Sequence, residues 1–90
     1  LAYTEKLMMV VMDFQDGPTS EPDPPHSHPH EQVSYVASGE INLSMDNKLT
    51  RLGPGDIFTV PPNLPHSVQL LTKHVRLLDT FTPIRKDFLK

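Results

Sequence analysis

His26, His28 and His30 alternate along the stretch Pro25-His26-Ser27-His28-Pro29-His30-Glu31-Gln32, and Gln32 continues their parity. In extended backbone, side chains two apart point to one face. All four side chains would then look in one direction, and converging imidazoles are what a divalent metal needs. A distant His66, in Pro61-Pro62-Asn63-Leu64-Pro65-His66, could close the site. Pro24, Pro25 and Pro29 stiffen the stretch, and a metal site wants its donors on rigid backbone. A solvated histidine-rich loop is the plain alternative. It accounts for a lone histidine better than for three on one parity. Which members bind is open at this level: His30 is a ligand if the alternation holds, or a rim residue if Pro29 perturbs it. Glu31 has the opposite parity and should point away.

Gln32 is an unusual donor. An amide oxygen binds a cation more weakly than a carboxylate and leaves the site more positive. Such a site polarises substrate oxygens strongly but stabilises a higher oxidation state poorly, which leans towards Lewis-acid chemistry and away from oxygen activation.

The segment from His74 to Thr82 carries the second group. Val75, Leu77, Asp79 and Phe81 share the more apolar parity, which places Asp79 on the inward face. A buried carboxylate is costly unless it is paired, metal-linked or functional. The competing reading has Asp79 bonding backbone at the barrel mouth. Arg85 follows Pro83 and could fold back over the opening, where its planar fork suits a substrate carboxylate. Taken alone, Arg85 reads as an ordinary surface arginine. Asp56 and His74 read as structural turn and surface residues. Tyr35 and Phe58 read as core, and Met8, Met9 and Met12 as core or subunit contact.

Short strands must position these groups. Ten prolines and four glycines punctuate the chain, and no window reads as a long amphipathic helix. Strands are expected over Leu7 to Phe14, Val33 to Ala37, Ile41 to Met45, Leu49 to Leu52, Ile57 to Val60, His66 to Leu71 and His74 to Thr82. Gln15 to Pro25 reads as a loop, Asp46-Asn47-Lys48 as a hairpin tip, and Pro83 to Lys90 as a tail holding one helical turn. This pattern predicts an all-β sandwich or small barrel. A chain of 90 residues makes one domain, and at this size burial reaches only about 60–65% of the unfolded surface.

Composition narrows the partners. The net charge of −3 shows no Lys/Arg cluster, so nucleic acid is not an expected partner. The longest apolar run, Leu7 to Met12, falls far short of the roughly 20 residues that span a bilayer, so no membrane partner is expected. The absence of cysteine excludes a disulfide framework and a thiolate site. It fits a reducing compartment, and with no secretory signal pattern the expectation is a cytoplasmic protein. The chain begins with Leu1 rather than Met, which points to trimming.

The motifs resemble those of a known family. His26-Ser27-His28, then Gln32, then Gly39 resembles cupin motif one, with Gln32 where most cupins carry Glu. Gly53-Pro54-Gly55-Asp56 through Pro61-Pro62-Asn63 to Pro65-His66 resembles cupin motif two. The two motifs in order are strongly specific, and the resemblance covers Glu5 to Phe88. Within cupins the chain looks most like the pectin-degradation KdgF group. The carriers are His28-Pro29-His30-Glu31-Gln32 and the ending Leu78-Asp79-Thr80-Phe81-Thr82-Pro83-Ile84-Arg85-Lys86-Asp87-Phe88. That group ends in a similar Asp-x-Phe-Ser-Pro-x-Arg-x-Asp run; Thr82 departs from it mildly.

The resemblance implies a single cupin domain over residues 1–90, folded as a double-stranded β-helix, a jelly-roll barrel. It implies one divalent transition metal (nickel, zinc, iron, cobalt or manganese) on His26, His28, Gln32 and His66, with His30 off the metal. It implies active-site roles for Asp79, Phe81 and Arg85. The implied activity is ring opening of a 4,5-unsaturated monouronate, a sugar acid from pectin or alginate breakdown, to its linear keto form. The alternatives are a cupin dioxygenase acting on a small phenolic or dione, and a small-ligand-binding module without turnover. A homodimer is also implied. Members usually carry a further N-terminal segment used in dimer contacts, and this chain is expected to lack that strand.

Overall fold

The computed structural model describes residues 1–89. The strands are β1 (Ala2–Tyr3), β2 (Met8–Phe14), β3 (Glu31–Ser38), β4 (Ile41–Met45), β5 (Lys48–Leu52), β6 (Ile57–Val60), β7 (His66–Leu70) and β8 (Val75–Thr82). One turn of 3₁₀ helix, Lys86–Leu89, follows them. The strands form an antiparallel five-stranded sheet in the order β1-β2-β8-β3-β6 and a three-stranded sheet in the order β5-β4-β7. This is the all-β, two-sheet arrangement expected of a jelly roll. No helix among the described residues is long and apolar enough to cross a membrane.

The expected strands form, two with the expected bounds and the others with ends moved by one or two residues. β1 was not foreseen, because two exposed residues leave no periodicity to read. It is folded back on Met8 and Met9 by a turn in which the Thr4 N–H donates to the Leu7 carbonyl at 2.7 Å. Gln15 to Pro25 is a loop, as expected, but it is not free. The Gly17, Thr19 and Asp23 N–H groups donate to the carbonyls of Lys73, Leu70 and Val68. The loop thereby covers the outer edge of β7, an edge that would otherwise be a template for another strand.

The core lies between the sheets. Val36, Phe58, Val60, Val75 and Leu77 of the larger sheet pack with Ile41, Leu43 and Leu70 of the smaller one. Along β8 the inward residues are Val75, Leu77, Asp79 and Phe81, all buried. Along β3 they are Gln32, Ser34 and Val36. The register sets Val36 opposite Leu77, Ser34 opposite Asp79, and Gln32 opposite Phe81. One end of the inner face is therefore apolar and the other end polar.

Tyr35 corrects the sequence reading. It was expected in the core but is 42% exposed, because strand side chains alternate and Gln32 and Ser34 hold the inward positions. Phe58 is core, as expected. The methionines divide by the same alternation. Met8 is buried, Met12 is partly buried and Met9 is exposed on the outer face. Gly39 is required where β3 turns into β4. Its φ is +80°, and a Cβ there would strike the His74 carbonyl oxygen.

Candidate metal centre and proton-transfer site

The histidine stretch is not one continuous strand. His26 forms an isolated antiparallel bridge with His66, the chain bends at Pro29 and His30, and β3 begins only at Glu31. The two backbone hydrogen bonds of that bridge measure 2.9 and 3.0 Å. A third tie joins the Pro-rich loop to the histidine stretch, since the Asn63 N–H donates to the His28 carbonyl at 2.7 Å. Tertiary pairing therefore carries His66 to the cluster.

The imidazoles of His26, His28 and His66 each bring a nitrogen to within 4.8 Å of the others. His28 Nδ1 lies 2.9 Å from the His30 carbonyl oxygen, and His66 Nδ1 lies 2.9 Å from the Leu64 carbonyl oxygen. A carbonyl only accepts, so each Nδ1 carries the proton and each Nε2 presents its lone pair. Gln32 Nε2 donates to Ser34 Oγ at 2.8 Å, which leaves Gln32 Oε1 aimed inward, 3.2 Å from His28 Nε2. An amide oxygen and a pyridine-type nitrogen facing each other are two donors that share a cation well. The donor set, nitrogen-rich with one neutral oxygen and with its rings oriented by backbone carbonyls, fits a divalent transition metal.

His30 is placed otherwise. Its carbonyl orients His28, and its ring stands edge-on to Phe81 with centroids 6.5 Å apart. His30 Nδ1 is buried without a hydrogen-bond partner among the described residues. It is absent from the group of converging nitrogens.

Asp79 lies one strand pair away. Its Oδ1 accepts the Ser34 hydroxyl proton at 2.6 Å. Burial pushes its carboxyl above the ordinary carboxylate range, opposed by the Ser34 hydrogen bond and by the positive charge of Arg85. Burial acts oppositely on His66 and holds its imidazole below the usual histidine range. The ring thus stays neutral and available as a donor.

Arg85 is not an ordinary surface arginine. Its guanidinium carbon lies 5.2 Å from the Phe81 ring centre and 4.5 Å from that of Phe88. It also pairs with Asp87 at 2.8 Å. Contact with both aromatic rings holds the guanidinium at a cavity of about 150 Å³ that it lines together with His26, Gln32, His66, Asp79 and Phe81. Asp56 caps a turn by accepting the Gly53 N–H, and His74 is exposed, both as expected. Sequence reading missed Ser34 and Phe88 as members of the site. Ser34 was detectable, since it shares the parity of Gln32 and is a hydroxyl among inward-facing positions.

This two-sheet barrel with a histidine-lined mouth defines the class. The family model described as Cupin domain matches residues 10–81, and the chain belongs to the cupin family. Within that family it is similar to the pectin degradation protein KdgF of Dickeya dadantii. The two are 34% identical over 90 residues, covering 99% of this chain and 79% of that protein. Among solved structures it resembles KdgF from a Halomonas species, at 33% identity and a TM-score of 0.86, covering 97% of this chain and 79% of that one. An RmlC-like cupin from Shewanella frigidimarina is 40% identical with a TM-score of 0.84, covering 96% of this chain and 74% of that one.

Proposed function

We propose that the protein is a metal-dependent isomerase that opens 4,5-unsaturated monouronates to their linear keto form. One observation supports this most. Asp79, a buried carboxylate, and Arg85, a stacked guanidinium, line the same cavity as His26, Gln32 and His66. The likeness to the pectin degradation protein KdgF supports a substrate from pectin breakdown.

The reaction is an isomerisation and balances without a co-reactant. The hemiacetal C1–O5 bond breaks, the C1 hydroxyl loses its proton, O5 emerges as an enol on C5, and that enol becomes the ketone as C4 gains a proton. A metal on His26, His28, Gln32 and His66 would supply Lewis acidity towards substrate oxygens. The protein's own groups do the rest. Asp79 takes and returns the proton through the oxygen that Ser34 leaves free. Arg85 grips the sugar carboxylate with its fork, and Asp87 must yield that fork. Phe81 shapes the sugar face, while Phe81 and Phe88 both pack against the guanidinium.

The test is an ultraviolet assay for loss of the unsaturated chromophore, run with the metal-loaded protein and again after chelation. Turnover that depends on metal and consumes no oxygen is expected. Oxygen consumption with a phenolic or dione substrate would instead identify a dioxygenase. Binding of the uronate with the chromophore intact would identify a binding module.

A second copy of the chain is the proposed partner on the outer face of the larger sheet, where Met9, Val11, Val33, Tyr35 and Ile57 are exposed. Tyr35→Glu is expected to shift the mass measured by light scattering from dimer to monomer. An unchanged mass would remove that face as the contact.

A further inference from the structure

Gln32 presents a problem that a carboxylate ligand would not. The two ends of an amide differ, and only the oxygen can bind a cation. An amide free to rotate would aim its NH₂ group, with no lone pair to give, at the metal. Something must hold it the right way round.

We propose that Ser34 is the positioning residue that sets the Gln32 amide with its oxygen towards the metal. The inference rests on the reading of Gln32 as a metal donor. Ser34 is only 1% exposed, and its hydroxyl is engaged with two protein partners. That hydroxyl has one proton, and the proton is committed to Asp79 Oδ1 at 2.6 Å. A serine hydroxyl has no second proton, so none is left to turn towards Gln32. Towards Gln32 it can only accept, and it does so from Nε2 at 2.8 Å. The amide is thereby fixed by exclusion: its NH₂ end faces Ser34, and Oε1 is left 3.2 Å from His28 Nε2. Reversing the amide would set Oε1 against the Ser34 oxygen, two acceptors in a buried space.

The register explains why this works. Ser34 stands opposite Asp79 and two residues from Gln32 on the same face. One hydroxyl therefore reaches the proton-moving carboxylate across the strand pair and the ligand amide along the strand. The polarity runs in one direction, from carboxylate to hydroxyl to amide. Giving its proton to Asp79 makes the Ser34 oxygen a better acceptor, and that in turn enriches Gln32 Oε1.

The test is calorimetric titration of the apoprotein with Ni²⁺ alone, in a double-mutant cycle. Ser34→Ala is expected to weaken binding by about 10–100-fold, the usual cost of losing such a supporting bond. Carboxylate oxygens are equivalent, so no amide remains to be oriented in the Gln32→Glu background. There the same Ser34→Ala change should cost at least about tenfold less. Equal losses in the two backgrounds would make Ser34 a purely structural residue and overturn the proposal, as would unchanged binding in Ser34→Ala. Should Ser34→Ala fail to fold by circular dichroism, Ser34→Cys carries the same expectation, since a thiol is of similar size but a poor hydrogen-bond partner. If the wild-type apoprotein takes up no Ni²⁺, the metal centre itself fails; if it does and the cycle shows no coupling, only the role of Ser34 fails.

Discussion

Asp79→Asn is expected to keep its metal and lose turnover of an unsaturated uronate by about 10²–10⁴-fold, the usual contribution of a positioned proton-transfer group. The substitution preserves shape, and the Asn carbonyl oxygen can still accept the Ser34 hydroxyl proton, so the chain to Gln32 stays intact. What it removes is the ability to take up and return a proton. The same change should leave the apoprotein at least as stable at neutral pH. Burial holds the Asp79 carboxyl above its ordinary range in the folded chain. At a pH below the unfolded value of about 3.9, both states carry the proton and the site is neutral. As pH rises past that value the unfolded chain releases its proton first, so the native state loses stability until the folded carboxyl also ionises. An asparagine escapes that loss at every pH. Thermal melts of the two metal-free proteins at about pH 4 and about pH 7 should therefore show a difference that moves in favour of the variant as pH rises. Turnover within about tenfold of wild type would remove Asp79 from the chemistry.

The second large effect belongs to His66. Metal added to the wild-type apoprotein at a hundred times its dissociation constant should stabilise the fold by about 2.7 kcal/mol. For a domain of this size that corresponds to a rise of roughly 10–20 °C in melting temperature. His66→Ala should abolish the rise. The backbone bridge to His26 uses no side-chain atoms, so the loop pairing survives, but one of the three clustered imidazoles is gone. His30→Ala should retain most of the rise, because His30 lies outside that cluster. Chelator should return wild type to the melting temperature of the apoprotein. A rise that persists in His66→Ala, or vanishes in His30→Ala, would redraw the ligand set. Burial keeps His66 below the usual histidine range, so this ring should remain deprotonated for metal at a lower pH than a solvated histidine would.

Stability and chemistry are opposed at the polar end of the barrel. Val36 opposite Leu77 is ordinary core, while Ser34 opposite Asp79 buries a carboxylate at the same depth. The cost is contained because the buried groups are joined in one chain of hydrogen bonds from Asp79 through Ser34 to Gln32. Removing a middle member strands both neighbours, which is why Ser34 matters out of proportion to its size.

The sequence by itself determined what lies on each strand's faces. Val75, Leu77, Asp79 and Phe81 share a side because alternation is built into the extended chain, and Asp79 was legible as an inward carboxylate on that ground alone. The hairpin tip at Asp46-Asn47-Lys48 was legible because its backbone demands are local, and Asp46 and Asn47 take positive φ there. Tyr35 is apolar in type but lies outward, because its parity is opposite to that of Gln32 and Ser34. Tertiary structure decided which faces meet. His26 pairs with His66 across a long stretch of chain, Ser34 falls opposite Asp79 by the register of β3 on β8, and Arg85 packs against both Phe81 and Phe88. Register and loop closure are properties of the whole packed barrel, since a slip of one residue would exchange the inner and outer faces. The parity of Ser34 with Gln32 is local, but its hydrogen bond to Asp79 exists only because β3 pairs with β8 in this register.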